Sequence, residues 1–430
     1  MPVTLSVGGL VSERQTAEAA VSRLLKTYIM TGLFFMLVPG TLIGVWNLIS
    51  ISSAHAPDSA SSSWIQAHGH AQIFGWIGSF ILGIGFYSIP RMRGLGSAPT
   101  GIGWWTWLLW TSGVLLRWTA DMWGWGWRLA LPLSAGLELA AFLVFFKVVS
   151  GHRSSERKEG LPPVWVLLVI AATFGLLVSL ALNLAGTVYV ATRGTTSVFP
   201  HTFNQRFLTT VIWAALVVLV WGFSTRWLPP FLSLKPTRDR LLLAALGLNA
   251  AGVILAIAGA TIPSMALLAA ATVVCIYALR LFETPRGPAK TQGIHPSFPV
   301  FVRIAYVWLL ISAALAVWAS LVGPAAAGIW GASRHAVTVG FLSTMVFCIG
   351  PRVLPAFAGV SALFSKQLMF ASLLLLTAGC SLRVTGETIA YQGFGDWAWS
   401  WLPISAVIEL AAVTVFAVNM GATMSQSRAT

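Results

Sequence analysis

The sequence predicts an all-α polytopic membrane protein of about twelve transmembrane helices, arranged as three pseudo-repeats of four. Three observations carry that expectation. Of 430 residues, 57% are hydrophobic and only 9% charged, with 21 Trp, a balance that leaves little chain for a water-soluble domain. Lys and Arg gather at the N-terminus, the C-terminus and the even-numbered loops, whereas the other loops hold only Arg128, Arg193 and Arg334. Motifs in the first block return in the third at offsets of 265, 266 and 271 residues, for His70 and His335, Arg117 and Arg383, and Glu138 and Glu409.

At about 20 apolar residues per crossing, the segments run 27–51, 65–90, 101–119, 128–149, 163–191, 200–228, 239–259, 262–282, 298–322, 328–355, 366–387 and 397–420. They form a single transmembrane domain over 1–430, with repeats at 27–150, 162–284 and 297–421. The tail 1–26 lacks the basic start and apolar run of a signal peptide, so the first segment is expected to be retained. By the positive-inside rule both termini are cytoplasmic. The net charge of +14 follows from that one-sided loop pattern and implies no nucleic-acid partner. Cys275, Cys348 and Cys380 are scattered within helices, without C-x-x-C or C-x-x-C-H, and are expected to pack as small apolar residues.

The repeats set the expected architecture. His70-Ala-Gln-Ile-Phe-Gly75 answers His335-Ala-Val-Thr-Val-Gly340 at the start of a second helix. Gly113-Val-Leu-Leu-Arg117-Trp-Thr-Ala-Asp121 answers Gly379-Cys-Ser-Leu-Arg383-Val-Thr-Gly-Glu387 in the third. Leu131-Pro-Leu-Ser-Ala-Gly-Leu-Glu138 answers Leu402-Pro-Ile-Ser-Ala-Val-Ile-Glu409 in the fourth. The middle block keeps His201 at its second helix and Arg226-Trp-Leu-Pro-Pro-Phe231 at its end, but has lost the helix-three Arg and the helix-four Glu. Inverted repeats require an odd number of helices per block; three parallel blocks of four suggest instead a ring with pseudo-threefold symmetry. Such a ring gathers His68, His70, His201 and His335 at similar depth.

Imidazole is a common axial ligand of heme iron, and two imidazoles on opposite faces make a six-coordinate heme. The symmetric pair His70 and His335 is the first expectation. Gly75 and Gly340, each five residues on, could leave room for a flat macrocycle. The alternative is that these histidines hydrogen-bond loops or headgroups at wet helix ends. His68 lies about 200° round the helix from His70, so it cannot serve the same face; it could meet His201 in a copper or second-heme site, or face headgroups. Arg117 and Arg383 could hold heme propionates, or pair internally with Asp121 and Glu387, four residues on. Glu138 and Glu409, mid-helix, suggest a proton path or a helix-to-helix hydrogen bond. The tryptophans of WGWGW and WAWSW are read as an outer aromatic belt.

These stretches resemble the NnrS family. His68-Gly-His70-Ala-Gln-Ile-Phe-Gly75 with the later GFYSIP, then Arg226-Trp-Leu-Pro-Pro-Phe231, then His335-Ala-Val-Thr-Val-Gly340 follow its signature stretches in order. The resemblance implies a bacterial inner-membrane protein that holds b-type heme, with copper or a second heme. Nitric oxide or another diatomic is the expected partner, with a possible electron donor, and the role is binding, sensing, turnover or protection against nitrosative stress. It also implies an architecture similar to the catalytic subunit of heme-copper oxidases, whose second and tenth helices ligate the low-spin heme. Departures are Ala71 and Gln72, where the family has Glu-Met, and Phe357, where it has another His. The seventh helix has no histidine and the tenth only one, which disfavours a full oxygen-reducing centre. Two other function classes stay open: a proton-coupled transporter or channel using the buried His and Glu, and a structural subunit of a respiratory complex.

Overall fold

In the computed structural model, residues 7–92, 99–151, 162–323 and 327–426 are described. The described residues form twelve rods. They are α1 (Thr16–Ala54), α2 (Ser62–Arg91), α3 (Thr100–Trp123), α4 (Trp127–Gly151), α5 (Val164–Arg193), α6 (His201–Leu232), α7 (Asp239–Ala258), α8 (Thr261–Leu279), α9 (Phe298–Val322), α10 (Gly328–Ala358), α11 (Lys366–Tyr391) and α12 (Asp396–Ser425). Eleven are long and apolar enough to cross a membrane by themselves. The other is α3, whose stretch is diluted by Arg117 and Asp121 and by tryptophans, which add bulk but little hydropathy.

Successive rods pack side by side, and α12 returns to pack on α1, closing the ring. Burial then sorts the rods. The most apolar windows of α2, α6 and α10 are 67–72% buried, against 33–50% for those of the eight other membrane-capable rods. The second helix of each repeat therefore stands inside the ring. The inner faces of α2, α6 and α10 meet around an apolar cavity of about 170 Å³, lined by residues such as Ile81, Leu219 and Ile349. The three cysteines are free and buried.

Each inner rod contains an eight-residue π-helical segment. These are Ala71–Gly78 in α2, Thr210–Val217 in α6 and Ala336–Ser343 in α10. A π turn closes one residue later than an α turn and is commonly found at functional sites. The segments give the repeats a register independent of sequence identity. His70, Thr209 and His335 each immediately precede a π segment, so the middle repeat carries Thr209 where the others carry histidine. His201 lies eight residues further out, exposed at the start of α6.

The tryptophan motifs divide between two environments. Trp123, Trp125 and Trp397 are more than half exposed, as a lipid-facing belt requires. Trp399 instead turns inward, 6% exposed, and stacks on His55 with ring centroids 5.3 Å apart.

At the end of the bundle where α8 finishes, Glu283 collects three cations: Arg280 Nη2 at 2.8 Å, Arg238 Nη2 at 2.8 Å and Lys235 Nζ at 3.4 Å. The hydrogen bond from Arg280, helped by the charges of Arg280 and Arg238, holds the Glu283 carboxyl below its usual range. A depressed carboxyl stabilises the fold above its unfolded value and loses that contribution as pH falls through the depressed one. Hydrogen-exchange protection of this loop should thus persist through about pH 4.3, the ordinary glutamate value, and fall only below it; Glu283→Gln should remove the transition.

Candidate functional site

The first and third repeats carry the same residue types near the outer ends of their helices, yet they are wired differently. In the first, His70 Nε2 lies 2.7 Å from Glu138 Oε1 on α4. Asn183 Nδ2 on α5 donates to Glu138 Oε2 at 3.2 Å. Arg117 Nε donates to Asp121 Oδ2 at 2.6 Å, and its guanidinium lies 4.6 Å from the centre of the Phe199 ring. Gln66 fixes that ring by exchanging two hydrogen bonds with the Phe199 backbone, at 3.0 and 3.2 Å. His70 stacks on Phe74 at 4.6 Å, and Phe74 stacks on Phe207 at 6.2 Å. This cluster, the first arc of the ring, is filled by aromatic rings over buried pairs, in which Arg117 Nη1 and Asp121 Oδ1 are left without hydrogen-bond partners.

In the third arc, His335 Nδ1 donates to the Gly331 carbonyl at 3.0 Å and lies 3.1 Å from Glu387 Oε2. Glu387 Oε1 takes Arg383 Nη2 at 3.0 Å. The difference follows from one methylene. Glu387 is long enough to reach both Arg383 and His335, whereas Asp121, in the matching position, reaches Arg117 alone. His70 is then left to Glu138, while Glu409 keeps an oxygen without a hydrogen-bond partner. Gly113 and Gly379 make the same space for these two glutamates: a Cβ would stand 2.9 Å from Glu138 Cγ and 2.7 Å from Glu409 Cγ.

His68 belongs with the third arc. Its Nδ1 donates to the Gly40 carbonyl at 2.8 Å, and its ring lies so close to α1 that a Cβ on Gly44 would meet it at 2.7 Å. The Gly40 carbonyl sits in a π segment of α1, Met36–Leu42, which contains Pro39 and therefore lacks one N–H. Side chains repair that ladder: Thr41 Oγ1 donates to the Met36 carbonyl at 2.8 Å, and Gln72 Nε2 reaches Thr41 Oγ1 at 3.0 Å. Arg383 and His335 are near enough to act on His68 electrostatically.

The repeats pair His70 with His335; in the structure His70 Nε2 faces Glu138, while His335 Nδ1 faces the Gly331 carbonyl and Glu387. His70 turns to the first arc and spends Nε2 on Glu138, because it stands about 200° from His68 on the helix. The expected meeting of His68 with His201 is absent, since His201 lies two turns outward on α6. Gly75 and Gly340 do not open space for a macrocycle: Phe35 and Trp308 fill them, and added Cβ atoms would meet those rings at 2.7 and 2.5 Å. Gly340→Leu should accordingly force α9 and α10 apart at a cost of about 1–3 kcal/mol, read as a lower melting temperature of the purified protein. Both arginines make the internal pair weighed above and both keep donors without partners, Nη1 on Arg117 and Nε and Nη1 on Arg383. The signal for His68 was its Gly40 and Gly44 contacts on α1, which no motif in its own helix announces.

The donor set can be tested against heme. A carbonyl only accepts, so His68 and His335 carry their proton on Nδ1, and neither Nε2 has a partner among the described residues. Two such imidazoles with spare cationic donors on Arg383 fit an axially ligated macrocycle with anionic substituents. Copper fits poorly: among the described residues no group of three or more His, Cys, Asp and Glu side chains converges to hold a metal ion.

The ring of twelve rods is the fold of the heme-copper terminal oxidases. It is similar to a solved heme-copper terminal oxidase dimer, with a TM-score of 0.71 and 13% sequence identity over 96% of this chain and 85% of that one. The profile of a family described as a domain of unknown function, DUF8744, matches residues 171–424, and the chain belongs to that family. Among curated proteins, none matches.

Proposed function

We propose that this membrane protein binds b-type heme between α2 and α10, where His68 and His335 would hold the iron and Arg383 would pair with the anionic substituents. The observation that carries the reading is the shared state of the two imidazoles: each is anchored through Nδ1, with Nε2 unspent. The b-type assignment rests on the lack of any C-x-x-C-H in the sequence. Backbone carbonyls on Nδ1 fix the tautomer and raise ligand basicity, and the 3.1 Å approach of Glu387 to His335 adds to that basicity. Heme supplies one-electron chemistry at this position.

Held by two histidines, the group would serve electron transfer. The NnrS-like signature stretches support a role with nitric oxide, which a heme held here would bind. The basic loops orient the chain in a bacterial inner membrane with both termini in the cytoplasm. The test is an absorption spectrum of cofactor-replete purified protein before and after nitric oxide. A Soret band that shifts on addition supports the whole reading, an unresponsive band restricts the protein to electron transfer, and no Soret band refutes heme binding.

A further inference from the structure

A second site lies at the opposite end of the rods, independent of any heme. The loop between α8 and α9 is folded back onto the end of α6. Arg286 N donates to the Ser233 carbonyl and Lys290 N to the Phe231 carbonyl, both at 2.8 Å, and Ser233 Oγ donates to the Pro288 carbonyl at 2.8 Å. Arg352 of α10 clamps the same loop through the Lys290 carbonyl while its guanidinium lies over the Phe231 ring at 4.0 Å. Ser233 holds the left-handed conformation, φ 53°, that turns the chain here.

This tying leaves a shallow depression, largely open to the surface, of about 290 Å³. Its rim is mixed: Pro230 is apolar and exposed, with the buried Leu234 beneath it, while Arg286 and Lys290 are cationic. Neither of those two side chains makes an ion pair or hydrogen bond among the described residues, although both are exposed at the rim. The neighbouring surface cannot neutralise them, since Lys235, Arg238, Arg240 and Arg280 already outnumber Glu283 and Asp239.

We infer that this pocket is a binding site for the phosphodiester headgroup of an anionic phospholipid. The two unpaired cations match a phosphate, and the apolar wall at the end of membrane-crossing rods matches the glycerol and first acyl carbons. A free phosphate would use only the first half of that surface. Each Lys or Arg near an anionic membrane surface contributes about 1 kcal/mol, so two cations removed together weaken binding by about 10- to 30-fold.

The experiment titrates the full detergent-purified chain with phosphatidylglycerol, phosphatidylcholine or inorganic phosphate and counts bound species by native mass spectrometry. The double variant Arg286→Gln/Lys290→Gln should lose 10- to 30-fold in phosphatidylglycerol affinity. Arg240→Gln/Lys366→Gln removes the same charge from exposed positions at the same end and should retain binding. Equal losses in both double variants would overturn the pocket in favour of a diffuse surface field. Equal affinity for phosphatidylcholine, or displacement by inorganic phosphate at the same concentration as by the lipid, would overturn the lipid assignment. All four substitutions lie on exposed side chains, so an unchanged melting temperature identifies variants that fold.

Discussion

His68→Ala and His335→Ala are each expected to reduce bound heme from about one per chain to under a tenth, whereas His70→Ala retains it. The contrast comes from the state of each imidazole. His68 and His335 have spent Nδ1 on carbonyls and keep Nε2 available. His70 has its Nε2 2.7 Å from Glu138 and stacks on Phe74, in an arc closed by the Phe199, Phe203 and Phe207 rings. Pyridine-hemochrome absorbance divided by protein concentration measures the outcome. Loss of heme in His70→Ala with retention in His68→Ala would reverse the assignment. A melting-temperature comparison separates ligand loss from misfolding, since His70→Ala leaves Glu138 buried and is the variant expected to destabilise the apoprotein.

The second large effect concerns Arg117 and Asp121, both 2% exposed and joined at 2.6 Å. Asp121→Leu leaves a buried guanidinium without its counter-charge and should cost about 3–5 kcal/mol. The double variant Arg117→Met/Asp121→Leu removes both charges and should recover most of that stability, because replacing a buried pair by apolar groups of similar size is often neutral or stabilising. Denaturation of the purified chain in detergent measures both. A double variant as unstable as Asp121→Leu would mean that the pair does more than balance its own charges, for example by holding the Phe199 ring in place.

Much of the fold was legible in the sequence, and the physical reason is the bilayer. Every crossing must satisfy its backbone within the helix, so twelve apolar stretches translate directly into twelve rods, with α3 recognisable despite Arg117 and Asp121. The repeat of Arg117 with Arg383 and of Gly113 with Gly379 was equally visible, and both pairs occupy matching places. The site was less so. His70 and His335 look alike in sequence because each precedes a π segment, yet their partners depend on whether the third helix ends its motif in Asp121 or Glu387. That one-methylene difference reads as conservative along the chain and redirects an imidazole in space. His201 misled in another way: a histidine near the start of α6 suggested a register that the π segment Thr210–Val217 places eight residues later.

The π segments also carry a mechanical meaning. A helix advances about 100° per residue, and a turn holding one residue more therefore puts its two flanks out of phase. In α2 the outer flank aims His68 and His70 while the inner flank keeps Ile81 and Ile84 on the central cavity. The two halves of the rod can thus be aimed independently, like sights and stock on one barrel. Deleting a single residue within Ala71–Gly78 would leave both imidazoles in place if the wide turn closes to an α turn, and would swing them by about 100° if it stays open, which makes helix phase a quantity that this segment sets.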